Sequence, residues 1–375
     1  MKSKKFDYVF SNPPYQDKAN SAIFHHFQKF SDLVGKKTSL IYPADKWMNK
    51  SGKGSGFDEF SDNQLKSQNI KSITVYEDAN YVFETIALHG GISIVETDNT
   101  ITNNNLINIS SREMDGYYSS IFINNLYPRT VSTSNRMNTL VEKVMCTHWN
   151  KDKHVSKKEK LFEEPQPQFL SDLLLSSSFY GIHSRYIQES TTHIEDTDYD
   201  QEPYYVRTLA LSSSGKGGRV NWFWIPTKDV KRNSETINDY VIAISPRNAA
   251  GYGGRSQQAH IFKPGEIFGD CRFGVAKFND ETTAKNFMKW MSTPIIRTLI
   301  LSSSRRIKNF GVNVPLLEKY SNDNSEIDFT KSTEEINQQL IEKYRLDEDD
   351  VNFIEQTIQS LGTFEMPTKN KDNNN

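Results

Sequence analysis

Phe6-Asp-Tyr-Val-Phe-Ser-Asn-Pro-Pro-Tyr15 decides how the rest of the chain is read. Tyr8-Val-Phe-Ser11 is short and aromatic, which predicts a buried strand. The prolines that follow end it, because a proline has no N–H to give to a ladder. Beyond them, residues 21–34 set Ala22, Ile23, Phe27, Phe30, Leu33 and Val34 at helical spacing, and Gly35 is a stop signal. Thr38-Ser-Leu-Ile-Tyr42, ended by Pro43, predicts the next strand. Residues 52–56 are glycine-rich and read as a flexible loop. A helix over 57–68 would align Phe57, Phe60 and Leu65, and 70–76 alternates as a strand. Gly90-Gly91 makes 85–96 a bent strand or a hairpin. Strands alternating with helices predict a mainly parallel sheet covered by helices.

Residues 99–165 are rich in Asn, Ser and Lys, with one helix expected at 138–145. They read as a connecting segment. Across 166–330 the pattern changes to short β-rich runs at 204–211, 220–225, 240–244 and 273–278, with a helix at 281–291. Two helices, 333–344 and 348–361, occupy 331–363, and 364–375 reads as a polar, disordered tail. The expected fold class is therefore α/β: a partial sheet domain over 1–98, followed by an α+β domain.

The chain has 375 residues, of which 36% are hydrophobic, enough for two packed domains. Its longest apolar run, 295–301, is far too short to span a bilayer, and no apolar signal core follows the charged N-terminus. A cytoplasmic protein without membrane contact is expected. Two cysteines, Cys146 and Cys271, with no C-x-x-C argue against a disulfide framework and a thiolate zinc site, and no metal is expected. Net charge is -2, but 204–320 holds 18 Lys/Arg against 8 Asp/Glu, whereas 321–375 holds 5 against 13. A basic middle section suits a phosphate-facing surface, with an ordinary solvated surface as the alternative. Within it, Lys216 and Arg219 in one Gly-rich loop and Arg255 in another are candidate DNA contacts, or the loops are plain hairpin turns. Arg305, Arg306 and Lys308 follow three serines and are candidates to clamp DNA phosphates or bases.

The decisive stretch also carries chemistry. Asn12-Pro13-Pro14-Tyr15 resembles the catalytic motif of amino-methyltransferases, whose form is Asn/Asp/Ser-Pro-Pro followed by an aromatic residue. An exocyclic amine is a poor nucleophile because its lone pair is shared with the purine ring. Two acceptors aimed at its hydrogens return density to the nitrogen. The resemblance implies that these are the Asn12 side-chain oxygen and the Pro13 carbonyl, with Pro13 and Pro14 fixing the turn. It gives Tyr15 the role of a ring on which a flipped base stacks. Residues 56–60, 70–83 and 89–93 are similar to the methylase region of type II restriction-modification enzymes of the fused endonuclease-methylase kind. Residues 263–266, 278–281, 293–301 and 314–317 resemble that family's recognition domain, and 344–348 with 353–355 its terminal helices. The family's second base-contacting aromatic falls on Phe83; a core phenylalanine is the other reading.

These resemblances imply a DNA adenine-N6 methyltransferase of a restriction-modification system, with S-adenosylmethionine as cofactor and double-stranded DNA as substrate. The sheet over 1–98 would then be a partial Rossmann-like methyltransferase sheet, and 166–330 a target-recognition domain. No cysteine lies near the motif, which excludes the cytosine-carbon mechanism. In such enzymes the cofactor's glycine turn precedes the catalytic motif, but only eleven residues precede Asn12. Neither 269–274 nor 311–313 has the strand-turn-helix form of a displaced glycine turn, so the cofactor-binding residues are unknown. Either a second polypeptide carries that half, or the chain is a truncated remnant. A restriction endonuclease is a further expected partner. The alternative is a non-catalytic DNA-binding specificity module. If half of a sheet is absent, an apolar edge or face should be left exposed.

Overall fold

The computed structural model describes residues 6–50, 56–84, 88, 90–104, 106–124, 130–149, 167–176, 178–183, 194–195, 205–211, 220–246, 257–303, 309–321, 323, 325–359 and 364–365. The chain forms two compact units. One comprises Met1–Gln166 with Gly311–Asn313, and the other Pro167–Phe310 with Val314–Asn375. Among the described residues no helix is long and apolar enough to cross a membrane.

The first unit is built on a six-stranded mixed sheet. Its strands are β1 (Phe6–Ser11), β2 (Gly35–Pro43), β3 (Ile70–Tyr76), β4 (Ile92–Asp98), β5 (Leu106–Arg112) and β6 (Tyr118–Asn124), in the order β1-β2-β4-β3-β5-β6. Helix α1 (Phe24–Val34) carries the chain from β1 to its parallel neighbour β2. No loop separates α1 from β2. The Gly35 N–H caps the helix on Ser31 O, and a Cβ on Gly35 would lie 2.8 Å from Val9 Cγ2. Only glycine lets helix end and strand meet there.

The expectation of a mainly parallel sheet needs correction. β1-β2 and β3-β5 are parallel, but β2-β4, β3-β4 and β5-β6 are antiparallel. The cause is β4. It follows β3 without a covering helix among the described residues and inserts between β2 and β3, so it runs against both. The reading of 99–165 as a connector is also corrected, since that segment supplies β5, β6 and helix α4 (Asn135–Trp149).

Burial alternates across this sheet. Leu40, Tyr42, Val95, Ile73, Val75, Ile107, Ile109 and Ile123 share one core with side chains from α1, from α2 (Ala44–Met48) and from α3 (Phe57–Leu65). Phe24 of α1 stacks on Tyr42 with ring centroids 4.8 Å apart. The opposite row is half-buried or exposed. It runs through Phe10, Ser39, Glu96, Ser72, Asn108 and Phe122, which the strand registers align.

The second unit has two four-stranded sheets. One contains β7 (Ile194–Glu195), β8 (Tyr205–Leu211), β9 (Val220–Pro226) and β12 (Glu266–Phe268), in the order β12-β8-β9-β7. The other contains β10 (Tyr240–Ile244), β11 (Gln257–Phe262), β13 (Phe273–Phe278) and β14 (Phe364–Glu365), in the order β13-β10-β11-β14. Val206, Leu209, Phe223, Ile225, Val241, Ala243, Phe262 and Phe268 join both sheets in one core. Among the described residues four helices follow β13: α5 (Glu281–Ser292), α6 (Pro294–Leu301), α7 (Thr333–Tyr344) and α8 (Glu348–Gln359). Their starts are legible. Asp280 accepts from the Thr283 N–H at 2.8 Å, Pro294 opens α6, and Ser332 and Glu335 form a capping box. α7 packs on α5 and α8 on α6, so 331–363 does not stand apart from 166–330. Phe364–Glu365, expected as part of the disordered tail, pair in parallel with Gln257 and Gln258. Residues 366–375 lie outside the described residues.

Candidate functional site

β1, β2 and β3 all run in one direction, because β1 is parallel to β2 and both β2 and β3 oppose β4. Their carboxyl ends therefore open at one end of the sheet, the end at which open α/β sheets bind ligands. β1 delivers Asn12-Pro13-Pro14-Tyr15 there, β2 delivers Ala44 and Asp45, and β3 delivers the turn that leads to Phe83. The start of β4 joins them: the Ala44 and Asp45 N–H groups donate to Gly91 O and Gly90 O, each at 3.1 Å. Both glycines have positive φ, and a Cβ on Gly91 would lie 2.3 Å from Tyr76 O.

Within the motif, Asn12 is exposed, Pro13 buried and Pro14 exposed. The Asn12 side chain makes no hydrogen bond among the described residues, so its oxygen is available as an acceptor. The chain after the motif is held locally. The Ile23 N–H donates to Tyr15 O at 3.2 Å, Gln16 bridges Ala22, and Asp17 Oδ1 accepts from the Ala19 and Ser21 N–H groups. An aspartate that bonds its own turn is a recurrent loop lock.

Tyr15 does more than expected of a stacking ring. It is half-buried and packs against the sheet core, with a buried hydroxyl that has no hydrogen-bond partner among the described residues. Burial raises its pKa above the ordinary tyrosine value. Phe83 is half-buried, and its N–H donates to Ala79 O at 2.9 Å. β3 stands three strand spacings from β1, about 14 Å. Asn12 and Phe83 thus share an end of the sheet but start from strands that are not neighbours.

Asp45 and Asn49 escaped the sequence reading. Both are buried in or just after α2, and Asn49 Nδ2 donates to Asp45 Oδ1 at 2.8 Å. Their signal was the chain position: a polar pair directly after a strand that ends in proline.

No glycine cradle for a nucleoside cofactor is built by the described residues. The close-approach glycines serve the chain itself: Gly35 against Val9, Gly91 against Tyr76, and Gly274 against Leu175. Gly56, which caps the start of α3 at φ +68, has open space around it, but residues 51–55 lie outside the described residues. Among the described residues no group of three or more His, Cys, Asp or Glu is placed to hold a metal.

All six candidate DNA contacts, Lys216, Arg219, Arg255, Arg305, Arg306 and Lys308, lie outside the described residues. The strands that lead to the first three are described. Arg207 of β8 pairs with Glu266 at 2.9 Å and covers the Trp222 ring at 4.2 Å from its centroid, and Trp222 meets His260 at 5.6 Å. Burial works against the Glu266 carboxylate, yet His260, the Lys263 N–H and Arg207 together hold its pKa below the ordinary value. This half-buried group braces β9 against β11.

Comparison with solved structures finds restriction-modification enzymes. The type IIL enzyme MmeI in complex with DNA aligns over 94% of this chain and 57% of its own, at 9% identity and a TM-score of 0.35. The type IIG restriction endonuclease BpuSI aligns over 92% of this chain and 49% of its own, at 9% identity and a TM-score of 0.33. A type I restriction-modification complex aligns over 39% of this chain and 31% of its own, at 13% identity and a TM-score of 0.23. The chain thus spans about half the length of the first two. With TM-scores below 0.5, these likenesses establish neither a family nor an activity. No family model and no curated protein matches the sequence.

Proposed function

We propose that this chain is the amine-activating part of a DNA adenine-N6 methyltransferase from a restriction-modification system. One observation carries the reading: a parallel strand, β1, ends in Asn12-Pro13-Pro14-Tyr15 at the carboxyl end of the sheet, with Asn12 exposed and its acceptor uncommitted. In this role Asn12 Oδ1 and the Pro13 carbonyl accept the two hydrogens of a flipped adenine's amino group. As the bond to carbon forms, the nitrogen lone pair is drawn into it and the amino hydrogens become more positive, so both hydrogen bonds are stronger in the transition state than in the ground state. The turn is fixed in advance by two prolines and by the Asp17 loop, so little ordering remains at the reacting atom. S-adenosylmethionine would supply the methyl group when bound, from a site that the described residues do not form. The second unit would read DNA through its basic loops.

Profiling of N6-methyladenine in DNA from cells that express the chain together with its genomic neighbours tests the reading. Methylation at one sequence context, lost with Asn12→Ala, is the expected result. Unchanged methylation in that variant would return the Asn-Pro-Pro turn to a structural role and leave a DNA-binding specificity module as the better account.

A further inference from the structure

Tyr15 and Phe83 come to the carboxyl end of the sheet from β1 and β3, which are not neighbours. The chain nevertheless ties their two sides together. On the Tyr15 side stands α2, whose Ala44, Trp47 and Met48 share a core with the Tyr15 ring. On the Phe83 side stands the turn that leaves β3 at Glu77. A buried segment, 130–135, is bonded to both. The Val131 N–H donates to Met48 O at 3.0 Å, and Thr133 Oγ1 donates to Glu77 Oε1 at 2.7 Å. The circuit closes at β4, where the Ala44 N–H donates to Gly91 O and Gly91 lies against Tyr76 O and the Glu77 backbone. The segment is also fastened from beneath. Ser111 Oγ donates to Thr133 O at 2.6 Å, and Asn135 Nδ2 donates to Ile109 O at 2.9 Å and to Ser119 O at 3.1 Å. Its outer end is held by Asn313, which lies 183 residues beyond Thr130 in the chain but belongs to the first unit. Asn313 Nδ2 donates to Thr130 Oγ1 at 2.9 Å and to Thr130 O at 3.2 Å. A connector between β6 and α4 needs only length. Thr130, Thr133, Asn135 and Asn313 are all buried as well as bonded, and buried polar contacts of this kind fix one geometry.

We infer that 130–135 is a brace that fixes the spacing across the proposed adenine site, with Thr133 and Asn313 as its positioning residues. The inference rests on the function proposed above. β2 and β3 stand two strand spacings apart, about 10 Å, with β4 between them. Tyr15 and Phe83 can act on one base only if the two sides keep their distance. Thr133 acts through Glu77, at the root of the turn that carries Phe83. Asn313 acts through Thr130 and Val131, and so on Met48 at the end of α2. Losing either donor lets the two sides move independently while the strands stay paired. A displacement of about 1 Å at a reacting centre can cost up to about a hundredfold in rate, even when the altered residue is far from the chemistry. A purely stabilising contact would instead spread its loss over the whole sheet.

The test uses the full chain and the variants Thr133→Val, Thr133→Ser and Asn313→Leu. Valine and leucine keep the approximate side-chain shape and remove the donor, whereas serine keeps the hydroxyl. Amide hydrogen exchange, followed by mass spectrometry, should speed up by about tenfold or more across both 44–48 and 77–83 in Thr133→Val and in Asn313→Leu. Exchange within β2 and β3 should keep its wild-type rate, and Thr133→Ser should match the wild type throughout. Faster exchange on one side only, across the whole sheet, or nowhere would each overturn the inference. In the complex that methylates DNA, Thr133→Val and Asn313→Leu should slow single-turnover methylation by about tenfold to a hundredfold. DNA affinity by fluorescence anisotropy should not change, and Thr133→Ser should restore the rate. Asn12→Ala separates the two readings. If it stops methylation while Thr133→Val and Asn313→Leu methylate at the wild-type rate, the brace fails and the methyltransferase reading stands. If it has no effect while exchange on both sides speeds up together, the methyltransferase reading fails and the brace remains as a link between α2 and the β3 turn.

Discussion

The Lys37 ammonium of β2 lies 5.7 Å from the centroid of the Tyr8 ring on the paired strand β1, while it also holds the Asp98 carboxylate of β4. The ring is wide open to solvent, so little of its area is buried by folding and the cation contact is screened. Tyr8→Ser should therefore shift the urea midpoint of the free chain by no more than about 0.5 kcal/mol of stability. Binding of a hydrophobic dye, and aggregation at high concentration, should fall in the same variant. A large loss of stability would mean that Tyr8 is a core residue.

Asn12 is exposed and outside the core, so Asn12→Ala should leave the thermal transition unchanged. In a complemented complex it should slow single-turnover methylation about a hundredfold or more, the usual effect of losing one preorganised hydrogen-bonding group at a reacting centre. DNA affinity, measured by fluorescence anisotropy, should hardly change.

Tyr15 combines a packed ring with a buried, unpartnered hydroxyl. Removing that hydroxyl removes a desolvation cost of about 1–3 kcal/mol, so Tyr15→Phe should leave the melting temperature unchanged or raise it. Tyr15→Ala should lower it, because the ring packs on the sheet core. If Tyr15→Phe destabilises the chain, the hydroxyl has a partner in solution.

Glu318 is fully buried beside Lys343 at 3.3 Å and accepts from the Tyr344 hydroxyl at 2.6 Å. Burial raises its pKa above the usual carboxylate value, against the lowering effects of Lys343 and Tyr344. The folded chain thus binds the proton more tightly than the unfolded chain. Below the unfolded pKa this contribution is fully present, and it is lost as pH rises to the folded pKa and beyond. Glu318→Gln should flatten that slope, and its melting temperature relative to the wild type should rise as pH increases above the ordinary glutamate value. Lys343 keeps Glu326 as a partner at 3.1 Å, so the variant does not strand a buried cation. An identical pH dependence in both proteins would count against the burial effect.

Where the sequence was legible, one local signal sufficed. Ile70–Tyr76 alternates and is a strand with those ends, and Thr333–Tyr344 follows its capping box. β5 and β6 were missed because Asn and Ser suggested a linker. Yet Ile107, Ile109 and Ser111 are buried, while Asn108 and Ser110 between them are not, so period two was present. Polar residues sit well in a strand whose other face is open. The parallel expectation failed for another reason: strand order is a long-range property, and nothing within 85–96 states which neighbours β4 will take. The Asn-Pro-Pro turn was legible because prolines end a strand locally. The packing of Tyr15 was not, since the same ring can stack on a base or on a core.

The place of β4 also orders events during synthesis. Among the described residues, β1 and β2 have no direct pairing with β3; β4 alone joins them, through Lys37–Asp98 to Pro43–Ile92 on one side and Ile70–Thr97 to Tyr76–Ile92 on the other. A nascent chain that has emerged only as far as Tyr76 therefore holds two separate pieces with open edges, and neither can close before residue 98 has left the ribosome. Non-local pairing of this kind is slow, and it leaves the growing chain exposed to misassociation while it waits. Chains arrested before and after residue 98 should differ sharply in protease resistance, which makes β4 the latch of the first unit.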